Sequence, residues 1–282
     1  GVEFYDKQRD VIRSVRDDDE TYVPAGNMLG KDFVAGFIAP WFFLTHQPCR
    51  VITTSVKDDH LRVLWGEIGR FVQTAREPLT LKDGGPLICN HREIRKVVGG
   101  KRCEISYMIG LVSERGEGMA GHHAAHTLQI IDEASGVDNL VYTQGDTWTR
   151  KKLILGNCNP CPPDQFFRKG VEEGDIRSAS GDRYYRKVIK IKASDSPNVK
   201  LGLAQRARGI EPTGEVVLPG VLTWDDYVKR RATWDAVRQC VGLDAEFYEG
   251  ADVLLFPPEW LNHAEALHEN LKGRRREAKA VG

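Results

Sequence analysis

Apolar positions along this chain fall into two kinds of run. Short runs rich in Val, Ile and Leu occupy 50–55, 104–111, 127–131, 152–155 and 187–191, and each predicts a strand buried in a sheet. Between them, apolar residues return at helical spacing. Leu61, Leu64, Trp65, Ile68, Phe71 and Val72 form one stripe within 60–75 and are expected in the core. A second apolar, helix-like segment ends near Leu44. The stretch 77–101 is interrupted by Gly and Pro and predicts a hairpin or long loop. Strands alternating with helices signal an α/β sheet. The pattern then changes: 194–221 is rich in Pro, Gly and charge, and 224–239 predicts a single helix with Thr223 as N-cap followed by acids. The main boundary is expected near 212–220.

One of the predicted strands ends unusually. The run 127–131 passes straight into Asp132 and Glu133. Charge is costly at the end of a doubly buried strand, so a cation and a reaction there account for the pair best, although Asp-Glu also occurs as a solvated turn. This is the Walker B pattern, in which Asp132 would hold Mg²⁺ and Glu133 would polarise the water attacking a γ-phosphate. Its counterpart lies upstream, in the segment 22–36. There Gly26, Asn27, Met28, Leu29, Gly30 and Lys31 lead into the apolar helix. Glycines let backbone amides turn toward phosphates, a helix N-terminus favours anions, and Lys31 can reach the terminal phosphates. The match to a P-loop is imperfect: Ala25 stands where the first Gly belongs, and Asp32 where a Ser or Thr hydroxyl would touch Mg²⁺. A Gly-Lys turn alone is a common loop. Followed by the acidic strand, it reads as the other half of one site.

Composition narrows the class without selecting it. The 282 residues suffice for one large or two modest domains, and 41% hydrophobic with 28% charged residues is a globular balance. No apolar run approaches a membrane span. Lys plus Arg and Asp plus Glu are 40 each, so a nucleic-acid partner would have to meet a local basic face. Six scattered cysteines suggest reduced thiols. Cys158-Asn-Pro-Cys161 lacks a second ligand pair at finger spacing and reads as a rigid turn after a strand; His122, His123 and His126 read as a surface loop before the acidic strand.

Taken in order, these segments resemble the ATPase half of a tailed-phage large terminase over most of the chain's length. Residues 4–8 (Phe-Tyr-Asp-Lys-Gln) resemble its adenine-reading motif and 25–32 its deviant Walker A. Residues 113–122 resemble the loop before Walker B, 130–136 Walker B itself, and 153–160 the coupling motif. Residues 241–249 with 258–262 resemble the lid and linker.

The resemblance implies an α/β P-loop NTPase fold, RecA-like and of the additional-strand, catalytic-glutamate type. It implies a mainly parallel sheet flanked by helices with a small C-terminal lid. The core would span 1–215, the lid and linker 216–262, and a hinge toward a nuclease domain 263–282. It also implies Mg²⁺ with ATP, the base near Tyr5 and Gln8, and γ-phosphate sensing by Asn157 or Asn159. The implied partners are double-stranded DNA, a portal protein, a small terminase subunit and a homo-oligomeric ring on the procapsid, in the host cell cytoplasm and with no membrane. Relatives that place an arginine within Walker A have it where Asn27 stands here, which makes Arg115 the candidate finger, with a solvated surface arginine as the alternative. Asp32 either caps the following helix or joins in Mg²⁺ binding.

A helicase-like translocase would share Gln8, Lys31 and the acidic pair, but would need a second RecA-like domain. A nucleotide-binding module without turnover would explain Asp32 but not Glu133. After the basic run 272–276, the tail 278–282 reads as the opening of a nuclease strand without its first acid, with a solvated basic tail as the alternative, so no nuclease activity is expected of this chain.

Overall fold

The computed structural model describes residues 3–75, 87–90, 92–98, 101–112 and 120–249. Its elements run α1 (Asp6–Asp17), β1 (Glu20–Pro24), α2 (Lys31–Thr45), β2 (Cys49–Thr54), α3 (Asp58–Gln73), β3 (Leu87–Asn90), β4 (Glu93–Val98), β5 (Lys101–Leu111), β6 (His126–Ile131), α4 (Asn139–Asp146), β7 (Lys152–Gly156), α5 (Phe166–Glu173), β8 (Ile176–Arg177), β9 (Tyr184–Val188), α6 (Pro197–Ala207), α7 (Trp224–Thr233) and α8 (Ala236–Gly242). The strands form one sheet in the order β3-β4-β5-β2-β6-β7-β1-β9-β8. The six from β5 to β9 in that order are parallel. Antiparallel strands extend both edges, β4 and β3 on one side and β8 on the other. The strand β7 lies between β1 and β6, which is the additional-strand order of an α/β P-loop NTPase-like fold.

The doubly buried strands explain the continuous apolar runs. Val23 of β1, Val51 of β2, Leu128 and Ile130 of β6, and Leu153 and Leu155 of β7 face a core shared with α1, α2 and α3. Their neighbours Tyr22, Ile52, Ile131 and Ile154 face a second core with α4 and α5. Of the stripe predicted for α3, Leu61, Leu64, Trp65 and Ile68 are buried, whereas Phe71 and Val72 are half-buried. The helices α2 and α3 approach closely at Gly36, where a Cβ would stand 2.6 Å from Glu67 Cβ.

Two elements depart from the sequence reading. The first is β1, which is not among the predicted strands. It is short, preceded by the acidic stretch 17–20, and closed by Pro24, so no apolar run announces it. The second is the segment 224–239, which forms α7 and α8 instead of one helix. Asp235 ends the first by capping the second, its Oδ1 accepting from Arg238 N at 2.8 Å. Thr223 caps α7 as expected, its Oγ1 accepting from Asp226 N at 3.1 Å.

One compact unit runs from Gly1 to Phe247. Val221, Leu222, Trp224 and Leu243 thus join the core that holds Val23 and Val34. Residues 250–262 of the expected linker, the expected hinge 263–282 with its basic run, and Arg115 lie outside the described residues.

Candidate active site

The carboxyl ends of β1, β2, β6 and β7 lie along one edge of the sheet, where open α/β sheets bind ligands. At the end of β1, Ala25 N donates to Gly156 O at 3.0 Å and Gly26 N to Ile191 O at 2.9 Å. The chain then turns through Met28 (φ 61°) and Gly30 (φ 73°) before α2 begins at Lys31. Gly30 is required twice, because a left-handed φ favours glycine and because a Cβ would stand 2.5 Å from Gln8 Nε2. Gly26 has no room either: its Cβ would stand 2.7 Å from Gly242 O.

The first helix grips this loop. Tyr5 Oη donates to Leu29 O at 2.8 Å. Gln8 Nε2 donates to Leu29 O and to Gly30 O, each at 3.4 Å. Both residues, expected beside the base, are therefore bonded to the loop's carbonyls, while buried Gln8 Oε1 has no hydrogen-bond partner. Burial, reinforced by the charge of Asp195, raises the Tyr5 hydroxyl above its ordinary pKa, so it stays a donor.

At the end of β6, Asp132 is buried and its N donates to Thr54 O at 2.9 Å. Glu133 follows at φ 50°, ψ 44°, a left-handed conformation that costs a non-glycine residue about 1–2 kcal/mol. The side chain reaches Lys31, with Oε1 and Nζ 2.8 Å apart, the two side chains 19% and 15% exposed. Asp32 Oδ1 is 3.5 Å from the same Nζ. One lysine thus faces three carboxylates. Burial lowers the Lys31 pKa, but Asp32, Asp132 and Glu133 outweigh it and hold the ammonium well above its ordinary range. Burial and then the charge of Asp32 push Asp132 up to about 8, against the opposing pull of Lys31.

The excess negative charge about Lys31, with buried Asp32 Oδ1 lacking a hydrogen-bond partner, offers hard oxygen donors of the kind a hydrated Mg²⁺ takes. Gly30 occupies the N-cap of α2 and no side chain bonds the helix start, so Asp32 is not the cap.

The end of β7 supplies Asn157, whose Nδ2 donates to Ala25 O at 2.8 Å and to Asn27 Oδ1 at 2.9 Å. Asn159 is exposed and lines a groove with Asn27, Asn157, Trp234, Val237 and Gly242. The C-terminal helices close on the loop from the other side: Asn27 N donates to Gly242 O at 2.8 Å and Leu222 N to Met28 O at 2.9 Å. These last contacts are absent from the sequence reading. They join backbone atoms, so no residue type marks them, and the close approach at Gly26 and Gly242 is their only trace. Tyr5, Gln8, the loop from Gly26 to Asp32, Asp132, Glu133 and Asn157 converge on one edge, with Asn159 in the adjoining groove wall. Nearby, Cys158 is buried and its thiol is pushed up to about 12 by that burial.

Solved phage proteins resemble this chain in fold. The large terminase ATPase domain of Thermus phage P74-26 superposes with a TM-score of 0.59 at 15% identity, covering 88% of this chain and 95% of that one. The chain has the fold of a large terminase ATPase domain. The HK97 bacteriophage large terminase matches with a TM-score of 0.56 at 12% identity over 86% of this chain. The large terminase of the thermophilic bacteriophage D6E, solved in complex with ATP-gamma-S, matches with a TM-score of 0.50 at 14% identity over 84% of this chain. This chain spans about half of those two proteins, 50% and 51% respectively. No protein-family model matches the chain, and no curated protein matches it in sequence. Among the described residues no helix is long and apolar enough to cross a membrane.

Proposed function

We propose that this protein is an ATP-hydrolysing motor domain that couples turnover to the movement of double-stranded DNA into a procapsid. The observation that carries the reading is Lys31 set 2.8 Å from Glu133, at the sheet edge where a phosphate-type loop and an acidic strand end meet. Such a cluster has use for a polyanion and a divalent cation together. When ATP binds, Lys31 exchanges Glu133 for β- and γ-phosphate oxygens. Glu133, released, accepts a proton from the water that attacks the γ-phosphorus, and ADP leaves with its bridging oxygen. Asp132, with Asp32, would hold Mg²⁺, which neutralises charge developing on the phosphates. Asn157, whose bonds to Ala25 and Asn27 tie β7 to the loop, would report γ-phosphate loss to β7. The base lies beside α1, where Gln8 Oε1, free of hydrogen bonds, accepts from the exocyclic amine of adenine.

In the same reading, Arg115 of a neighbouring copy in a homo-oligomeric ring completes the charge at the γ-phosphate. The segment 216–262 acts as the lid, and DNA, a portal protein and a small terminase subunit are the partners. The test is phosphate release from ATP, with and without Mg²⁺ and with and without double-stranded DNA. Mg²⁺-dependent release that Lys31→Ala abolishes supports the reading, and acceleration by DNA supports the motor. Release that ignores Mg²⁺ and survives Lys31→Ala contradicts it.

A further inference from the structure

Arg230, on α7, stands at the apex of the phosphate loop with a cation that the protein does not neutralise. Its Nη2 is packed against Met28 Sδ, and its guanidinium lies over the Trp234 ring at 4.8 Å. Nη1 is buried without a hydrogen-bond partner. Among the described residues Arg230 forms no ion pair, whereas the next residue, Arg231, is bonded to Asp244. A thioether is a weak acceptor and an aromatic face a modest one, whereas a phosphate oxygen is a far stronger partner for a guanidinium.

The position is fixed from both sides. Leu222 N donates to Met28 O at 2.9 Å just before α7, and Asn27 N donates to Gly242 O at 2.8 Å after α8. Met28 itself is 51% exposed at a left-handed φ of 61°, so the arginine rests on the outward tip of the loop. Around Lys31 the charge balance is acidic, with three carboxylates about one ammonium. A triphosphate entering this loop therefore gains from a further cation, and Arg230 touches the loop with no ion-pair partner among the described residues.

We propose that Arg230 is a phosphate-binding residue carried by the C-terminal helices. When ATP binds, its guanidinium leaves the Met28 sulfur and bonds an oxygen of the terminal phosphate. Because the backbone bonds from Asn27 to Gly242 and from Leu222 to Met28 already hold α7 and α8 on the loop, the guanidinium reaches the phosphate by a side-chain movement alone. This assignment rests on the ATP-site reading above.

The test is the affinity of the whole protein for ATP-γ-S and for ADP, each with Mg²⁺, in the wild type and in Arg230→Ala, Arg230→Lys and Lys31→Ala. A charge-assisted bond made only to the terminal phosphate predicts that Arg230→Ala weakens ATP-γ-S binding about 10-fold or more and ADP binding by less than about 3-fold, with Arg230→Lys between. If the alanine variant does not fold, Arg230→Gln carries the same comparison. Equal ATP-γ-S affinity in wild type and Arg230 variants, with binding lost in Lys31→Ala, would overturn the assignment and leave the nucleotide site standing. Wild-type protein that binds neither nucleotide would overturn both.

Discussion

Glu133→Gln separates binding from chemistry at this site, and the structure sets the size of the effect. Glu133 Oε1 lies 2.8 Å from Lys31 Nζ. At that separation Coulomb's law gives about 1.5 kcal/mol at a dielectric of 80 and about 6 kcal/mol at 20. Resolvation of the freed carboxylate returns most of the larger value, so surrendering the pair costs ATP binding about 1–2 kcal/mol. The glutamine variant is spared that cost, and one negative charge leaves a cluster that must admit a polyanion. Its ATP affinity is expected to rise about 10-fold, while loss of the proton acceptor lowers turnover by at least about 100-fold. Titration with a fluorescent ATP analogue gives the first number and phosphate release under single-turnover conditions the second. A variant that binds ATP no more tightly, or that retains turnover within a few-fold of wild type, would refute the exchange of partners at Lys31.

Other consequences follow from the same contacts. Gly30→Ala should lose nucleotide affinity and about 1 kcal/mol or more of stability, since it puts a Cβ at φ 73° and 2.5 Å from Gln8 Nε2; an unchanged melting temperature and affinity would show that the loop tolerates it. Lys151 Nζ donates to the carbonyls of Val15, Arg16 and Asp18 at the end of α1, at 2.8, 3.2 and 2.7 Å. Lys151→Met should cost about 1–3 kcal/mol in denaturant unfolding, and no loss would show that water replaces the ammonium. The His46 pKa is lowered by burial first, with the charges of His126 and Lys151 adding to it and the Phe42 carbonyl opposing. The unfolded chain therefore takes up that proton first as pH falls below the ordinary histidine range, and stability drops there. His46→Phe should flatten the pH dependence of the melting temperature between pH 7.5 and 5, and an unchanged slope would assign it to other groups.

Much of the fold was legible because its central strands are buried on both faces. Ile52, Ile131 and Ile154 face one core, and Val51, Ile130 and Leu153 the other, so each strand shows as an unbroken apolar run. Two elements do not carry that signal. The strand β1 hides between acids and a proline, and the break between α7 and α8 rests on one capping aspartate. The site divides in the same way. Asp132 and Glu133 are visible because charge at the end of an apolar strand demands a reason, and Lys31 because it follows a glycine-bearing loop and opens an apolar helix. That Asn157, and not Asn159, bonds the loop is a matter of register, since Pro24 pairs with Gly156 in the parallel ladder. The closure of 222–242 over the loop is made of backbone hydrogen bonds and glycine contacts, which leave little mark in residue type. Arg230 reads as an ordinary helical arginine until its lack of an anion is seen in space.

The most direct test of the central claim is a crystal structure of the protein with Mg²⁺ and a non-hydrolysable ATP analogue. The account predicts phosphates cradled by residues 26–31, with Lys31 Nζ moved from Glu133 onto the β- and γ-phosphate oxygens. It also predicts the metal at Asp132 and a water held between Glu133 and the γ-phosphorus. A nucleotide bound elsewhere on the protein, with the Lys31–Glu133 pair still closed at 2.8 Å, would contradict it.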